Sequence, residues 1–275
     1  MARRIIVVMF DGCRPDGLAQ AQTPWLDALM LEGTHTWSAQ TVVPSDTLPA
    51  HMSLFRGVLP EKHGVQTNTA AASAYAFPGI MDLAHQAGLH TAMFYSWEEL
   101  RDLSAPGSLN MSFCLTWRDD RDTDAVIAEH AAAYLIAEQP ALTLVYFARP
   151  DWTGHNAGWM SPAYVEAIAQ TDRNASRLFA ALAAAQVREN FTVLFLADHG
   201  GHGKGHGTAS PEDTTIPWLL TGPGIRRNHR LTMPVPIIDT APTLAYLLGL
   251  PPAPDWEGQP VWEALAQQSL QEDAA

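Results

Sequence analysis

Four stretches of the chain carry residues that could do chemistry. They are Asp11-Gly12; Pro44-Ser45-Asp46-Thr47 running on to His51; Pro150-Asp151 running on to His155; and Asp198-His199, followed in a glycine-rich run by His202 and His206. Carboxylate and imidazole without thiolate make a ligand set that suits Zn²⁺ or Mn²⁺ better than Mg²⁺ or Ca²⁺. Five or more such ligands exceed what one tetrahedral ion needs, so the set points to two divalent ions, with Zn²⁺ favoured and Mn²⁺ the alternative. Two ions a few Å apart stabilise both the attacking and the leaving oxygen in phosphoryl transfer.

Each stretch also has a plain structural reading. Asp11 can cap the turn after a strand, and Thr47 can be the N-cap of a helix. Asp151 beside Pro150 can make an Asx turn. The His-rich run 199–206 can be a soluble glycine loop or an adventitious metal binder. What weighs against all four is their shared position, which depends on the elements that hold them.

The elements alternate. Ile5 to Phe10 is a continuous β-branched and apolar run, as expected of a strand buried on both faces. Strands are expected at 36–43, 89–95, 141–148, 191–197 and 216–221. Helices are expected from Pro24 to near Gly33, after Thr47, over 79–87, from Asp122 or Thr123 to about Gln139, over 162–186 and over 238–248. Such alternation predicts an α/β fold: a mainly parallel central sheet sandwiched by helices on both faces. In an open parallel sheet the functional crevice lies beyond the carboxyl ends of the strands. All four chemical stretches fall just after a predicted strand, so the fold would bring them to one edge.

The 275 residues can bury a large core, and 47% are hydrophobic, which excludes a mostly disordered chain. No glycine or serine linker divides the sequence. Residues 1–266 are expected to form one metal-dependent phosphoesterase domain, with 267–275 a frayed polar tail. A net charge of −13 repels phosphate backbones and argues against a nucleic-acid polymer as partner. It leaves room for a small phosphorylated substrate held by metal ions. Cys13 and Cys114 cannot make a disulfide framework. The six-residue apolar run at the N-terminus is too short for a signal peptide, and no apolar run reaches 18 residues. The expectation is therefore a cytoplasmic protein without a membrane span; the sequence does not give the oligomeric state.

Taken together the motifs resemble the alkaline phosphatase superfamily, in its type I phosphodiesterase/nucleotide pyrophosphatase branch. The likeness runs from residue 5 to about 250. It rests on Pro44-Ser-Asp-Thr47-Leu-Pro-Ala-His51-Met-Ser-Leu, on Gly57-Val-Leu-Pro60-Glu-Lys-His63-Gly-Val with Asn68, on Asp151 to His155 followed by Gly158 and Ser161-Pro162, and on Asp198-His199-Gly200. The resemblance implies an alkaline phosphatase-like fold and a phosphoric ester hydrolase. It implies that Thr47 is the nucleophile, and that Asp11, Thr47, Asp198 and His199 hold one metal. Asp151 and His155 would hold the other, together with one more histidine. His206 is the choice for that ligand and His202 its competitor. Asn68, 21 residues after Thr47, would donate to a phosphate oxygen.

A threonine hydroxyl is a poor nucleophile at neutral pH, so it needs its pKa lowered by a dication and by a helix N-terminus. The chemistry implied is hydrolysis of phosphodiester or pyrophosphate bonds through a phosphothreonine intermediate. A phosphomonoesterase or phosphonate hydrolase with the same site, and a non-catalytic metal- or phosphate-binding module, are the alternatives. A sulfatase is disfavoured, because Thr47-Leu-Pro-Ala-His lacks that group's modified residue and arginine. Trp152, between two proposed ligands, and Tyr75 and Phe77, in the region that meets the leaving group in relatives, are substrate-binding candidates. His51 and His63 are expected to act as structural hydrogen-bonders.

Overall fold

The computed structural model describes residues 3–69 and 75–266. Its centre is an eight-stranded sheet of β1 (Arg4–Phe10), β2 (Thr34–Gln40), β3 (Thr91–Tyr95), β4 (Met111–Cys114), β5 (Leu142–Phe147), β6 (Phe191–Leu196), β7 (Thr215–Thr221) and β8 (His229–Arg230). The spatial order is β4-β3-β5-β1-β6-β7-β2-β8. β1 lies between β5 and β6, parallel to both, with Ile5 opposite Leu142 and Phe10 opposite Phe147. Only β7 runs against its neighbours β6 and β2. The carboxyl ends of β1, β2, β5 and β6 therefore share one edge, as the crevice rule requires.

Two groups of helices cover the sheet. Pro24–Glu32, Thr123–Glu138 and Pro162–Ala184 pack together, and so do Thr47–Arg56, Ile80–Gln86 and Thr240–Leu248. The mainly parallel, helix-covered sheet expected from the alternating pattern is thus observed. The core is apolar on both faces of β1. Phe10 meets Trp25 at 6.3 Å, Phe147 at 5.8 Å and Phe195 at 5.0 Å between ring centroids.

Several boundaries differ from the sequence reading. β2 covers Thr34–Gln40 rather than 36–43: the Thr41 N–H still bonds Thr214 O (2.9 Å) in register, but Thr214 ends the short helix Pro211–Thr214, so the partner strand stops there, and Pro44 has no N–H to offer. Arg149–Ala157, after β5, is a nine-residue helix that the alternating pattern does not include, and it replaces the Asx turn considered at Asp151. Pro150 falls in its first turn, where no intrahelical partner is missing. β4 and β8 are short strands with partial exposure, and neither carries an apolar run that would announce it. Among the described residues no helix is long and apolar enough to cross a membrane. The expected tail, 267–275, lies outside the described residues.

Candidate metal centre

The site is assembled around the turn that ends β1. Asp11 N still donates to Phe147 O (3.0 Å), which keeps the ladder in register up to the ligand. Gly12 then turns the chain with φ of +64°. It also lies so close to Asp151 that an added Cβ would sit 2.9 Å from the Asp151 Cα, so only glycine fits. The Gly12 N–H donates to Asp198 Oδ1 (3.2 Å), while its carbonyl accepts from Trp159 Nε1 (3.0 Å) and the Tyr164 hydroxyl (2.7 Å). One turn thereby fixes the ends of three strands relative to one another.

Asp11, Asp198 and His199 form a first group, with candidate ligand atoms all within 4.8 Å of one another. His199 Nε2 lies 3.3 Å from Asp11 Oδ1 and 3.4 Å from Asp198 Oδ2. Thr47 opens the buried helix Thr47–Arg56, and its Oγ1 lies 3.1 Å from the same Nε2. Asp151, His155 and His206 form a second group within the same limit. Asp151 and His155, four residues apart on one helix, share a face. His155 Nε2 lies 3.5 Å from Asp151 Oδ1 and 3.1 Å from His206 Nε2. The rings of His199 and His206 stack at 3.9 Å, which joins the two groups.

The charges in this cleft are not balanced by the protein. Asp11 Oδ1, Asp151 Oδ1 and Asp198 Oδ2 are buried and have no hydrogen-bond partner. A buried carboxylate oxygen left without a donor is costly. Burial, with repulsion from Asp198 and Asp151, pushes the Asp11 carboxyl well up. Burial also raises Asp151, although His199, His155 and His206 oppose it. Asp198 lies below the usual carboxylate range despite its burial, because His199 and His51 stabilise its charge. Orphan oxygens facing imidazole nitrogens in two adjacent groups are the arrangement that two hard-to-borderline dications would satisfy. The residues therefore fit the ions expected from the sequence.

Other predicted residues separate into those near the groups and those elsewhere. His206, not His202, sits with Asp151 and His155; His202 Nδ1 instead pairs with Asp213 at 2.7 Å. Asn68 Oδ1 accepts from Leu48 N (2.9 Å) at the start of the Thr47 helix, leaving the amide nitrogen as its donor end. Trp152 follows Asp151 on the same helix and packs on Trp117 at 5.5 Å. Tyr75 and Phe77 meet Arg56: the guanidinium lies 5.4 Å from the Tyr75 ring and donates to the Phe77 carbonyl. Arg56 ends the ten-residue helix that Thr47 begins, about 13 Å away along its axis. The structure does not bring these two aromatics to the metal groups. Cys13, near Asp198, belongs to neither group, and burial pushes its thiol well up.

Four supporting residues escaped the sequence reading or received only a general role there. His51 Nδ1 donates to Thr47 O (2.8 Å) and lies 3.3 Å from Asp198 Oδ2. The Tyr146 hydroxyl donates to Asp11 Oδ2. Asp46 lies 3.2 Å from His206 Nδ1. Trp159 fits against Gly154 and Gly201, where Cβ atoms would come within 2.6 Å and 2.3 Å of its ring, and it packs edge-on to His155 and His206. Tyr146 sits in a segment that reads simply as strand, so nothing in the pattern marks it; Trp159 can be read from the sequence only as a pocket wall or a core residue, with core packing the better fit.

A model of the type I phosphodiesterase/nucleotide pyrophosphatase family matches residues 5–203. The chain belongs to this family. Among curated proteins it is similar to human ectonucleotide pyrophosphatase/phosphodiesterase family member 7, at 24% identity over 217 residues, covering 72% of this chain and 47% of that protein. It is similar to human family member 5 at 23% over 220 residues, covering 72% and 45%. The chain thus spans about half the length of these relatives. Among solved structures, an inactive murine ectonucleotide pyrophosphatase/phosphodiesterase 5 in complex with AMP superposes with a TM-score of 0.78 at 17% identity, over 98% of this chain and 99% of that one. A 2-O glycosaminoglycan sulfatase gives 0.78 at 15%, over 95% and 73%. Identities this low establish a shared fold.

Proposed function

We propose that the chain is a metal-dependent hydrolase of phosphodiester or pyrophosphate bonds in small phosphorylated substrates, with Thr47 as the nucleophile. The observation that carries the proposal is the place of Thr47 Oγ1: 3.1 Å from His199, beside the first ligand group, with the second group stacked on it through His206. A binding module has no need of a hydroxyl at that point. Asp11, Thr47, Asp198 and His199 would hold one dication, and Asp151, His155 and His206 the other. Ions bound there would supply Lewis acidity at the attacking and leaving oxygens.

The remaining work belongs to the chain itself. Thr47 opens a helix, whose dipole and free N–H groups favour both an alkoxide and a phosphate. His51 holds the Thr47 carbonyl and so fixes the turn that presents the hydroxyl. Thr47 Oγ attacks phosphorus, the bond to the leaving oxygen breaks, and phosphothreonine forms; water then cleaves it and restores the hydroxyl. Asn68, held at Leu48 N, offers its amide N–H to a non-bridging oxygen.

The test is hydrolysis of an aryl phosphodiester by the Zn²⁺- or Mn²⁺-loaded protein and by its Thr47→Ala variant. Loss of one oxyanion donor typically costs about 10²–10³-fold, and loss of the nucleophile is expected to cost more. Rates in Thr47→Ala equal to those of the unsubstituted protein would remove Thr47 from the chemistry.

A further inference from the structure

The residue before the proposed nucleophile has a carboxylate with a defined target. Asp46 Oδ1 lies 3.2 Å from His206 Nδ1, and the Ser45 carbonyl lies 3.1 Å from the same nitrogen. Both neighbours are oxygen acceptors, and a carbonyl can only accept, so Nδ1 must carry the proton. Nε2 is then the nitrogen that faces Asp151 and His155. Two further contacts tie the His206 loop to this segment. Ser45 Oγ donates to Thr208 O (2.7 Å), and Gly207, at φ of +100°, lies so close that an added Cβ would sit 2.8 Å from Asp46 Oδ1.

We propose that Asp46 is a positioning residue for the second ion: its carboxylate holds the His206 Nδ1–H and so aims Nε2 at the group formed with Asp151 and His155. An outer carboxylate that accepts the far N–H of a histidine ligand fixes its tautomer and ring orientation and raises its basicity. Because Asp46 adjoins Thr47, the same peptide places the nucleophile beside the first group and orients a ligand in the second. The inference rests on the two-ion reading above, but not on any turnover.

The test is calorimetric titration of the metal-free protein with Zn²⁺ alone. Two ions are expected in the unsubstituted protein. Asp46→Ala should weaken one of them by roughly 10–100-fold and leave the other unchanged. Asp46→Asn, which keeps an oxygen acceptor, should lose less. The metal-free melting temperature should be the same in all three proteins, since a ligand-orienting role does not require a change in the fold. Two ions bound by Asp46→Ala with unchanged affinity would overturn the proposal. So would a parallel fall in both affinities with a lowered metal-free melting temperature, or fewer than two ions in the unsubstituted protein. Two-ion binding without phosphodiester hydrolysis would instead overturn only the proposed activity.

Discussion

Asp124 allows a prediction whose size follows from the structure. It is fully buried at the start of the helix Thr123–Glu138. Its two carboxylate oxygens accept from Ala148 N and Arg149 N, each at 3.1 Å, where the helix bearing Asp151 and His155 begins. Burial pushes this carboxyl from 3.8 up to about 7, against the pull of Arg149 and the two N–H groups. The folded chain therefore binds this proton more tightly than the unfolded chain. The resulting contribution to stability is fully present below 3.8 and is lost as pH rises through about 7. A span of roughly three pH units at 1.36 kcal/mol each amounts to about 4 kcal/mol. Asn at this position does not titrate. Urea unfolding of metal-free protein should thus show that the stability of the unsubstituted chain relative to Asp124→Asn improves by about 4 kcal/mol between about pH 8 and about pH 4. A difference that stays constant across this range, or grows with rising pH, would refute the reasoning.

Further predictions concern the metal groups. His206→Ala should abolish binding of one ion in a Zn²⁺ titration. His202→Ala should leave both, since His202 is engaged with Asp213. Tyr146→Phe removes the hydroxyl that donates to Asp11 Oδ2 and leaves that carboxylate without a side-chain donor. It should weaken the ion of the first group by about 10-fold or more, read by competition with a chromogenic chelator.

The sequence makes the sheet legible where burial is complete. Ile5 to Phe10 is apolar throughout, and the runs of β5 and β6 are fully buried and apolar apart from Thr143, Tyr146 and Thr192, because helices cover both faces. The edges are less legible: in β4, Met111 to Cys114 are only partly buried, and their residue types reflect that. The chemical residues stand out because side chains that would be unfavourable in a core fall at successive strand ends. The groups that orient them do not stand out. Tyr146 reads as one more strand residue, and its link to Asp11 spans 135 positions. Asp46 has the composition of any turn acid until the loop carrying His206 folds over it. Tyr75 and Phe77 follow Asn68 closely in sequence, yet the chain carries them to the far end of the Thr47 helix.

The most direct measurement is anomalous diffraction from crystals of the Zn²⁺-loaded protein. Two peaks are predicted a few Å apart, one among Asp11, Thr47, Asp198 and His199, the other among Asp151, His155 and His206. A single peak, or a second peak between His202 and Asp213, would contradict the two-ion site on which the proposed hydrolysis depends.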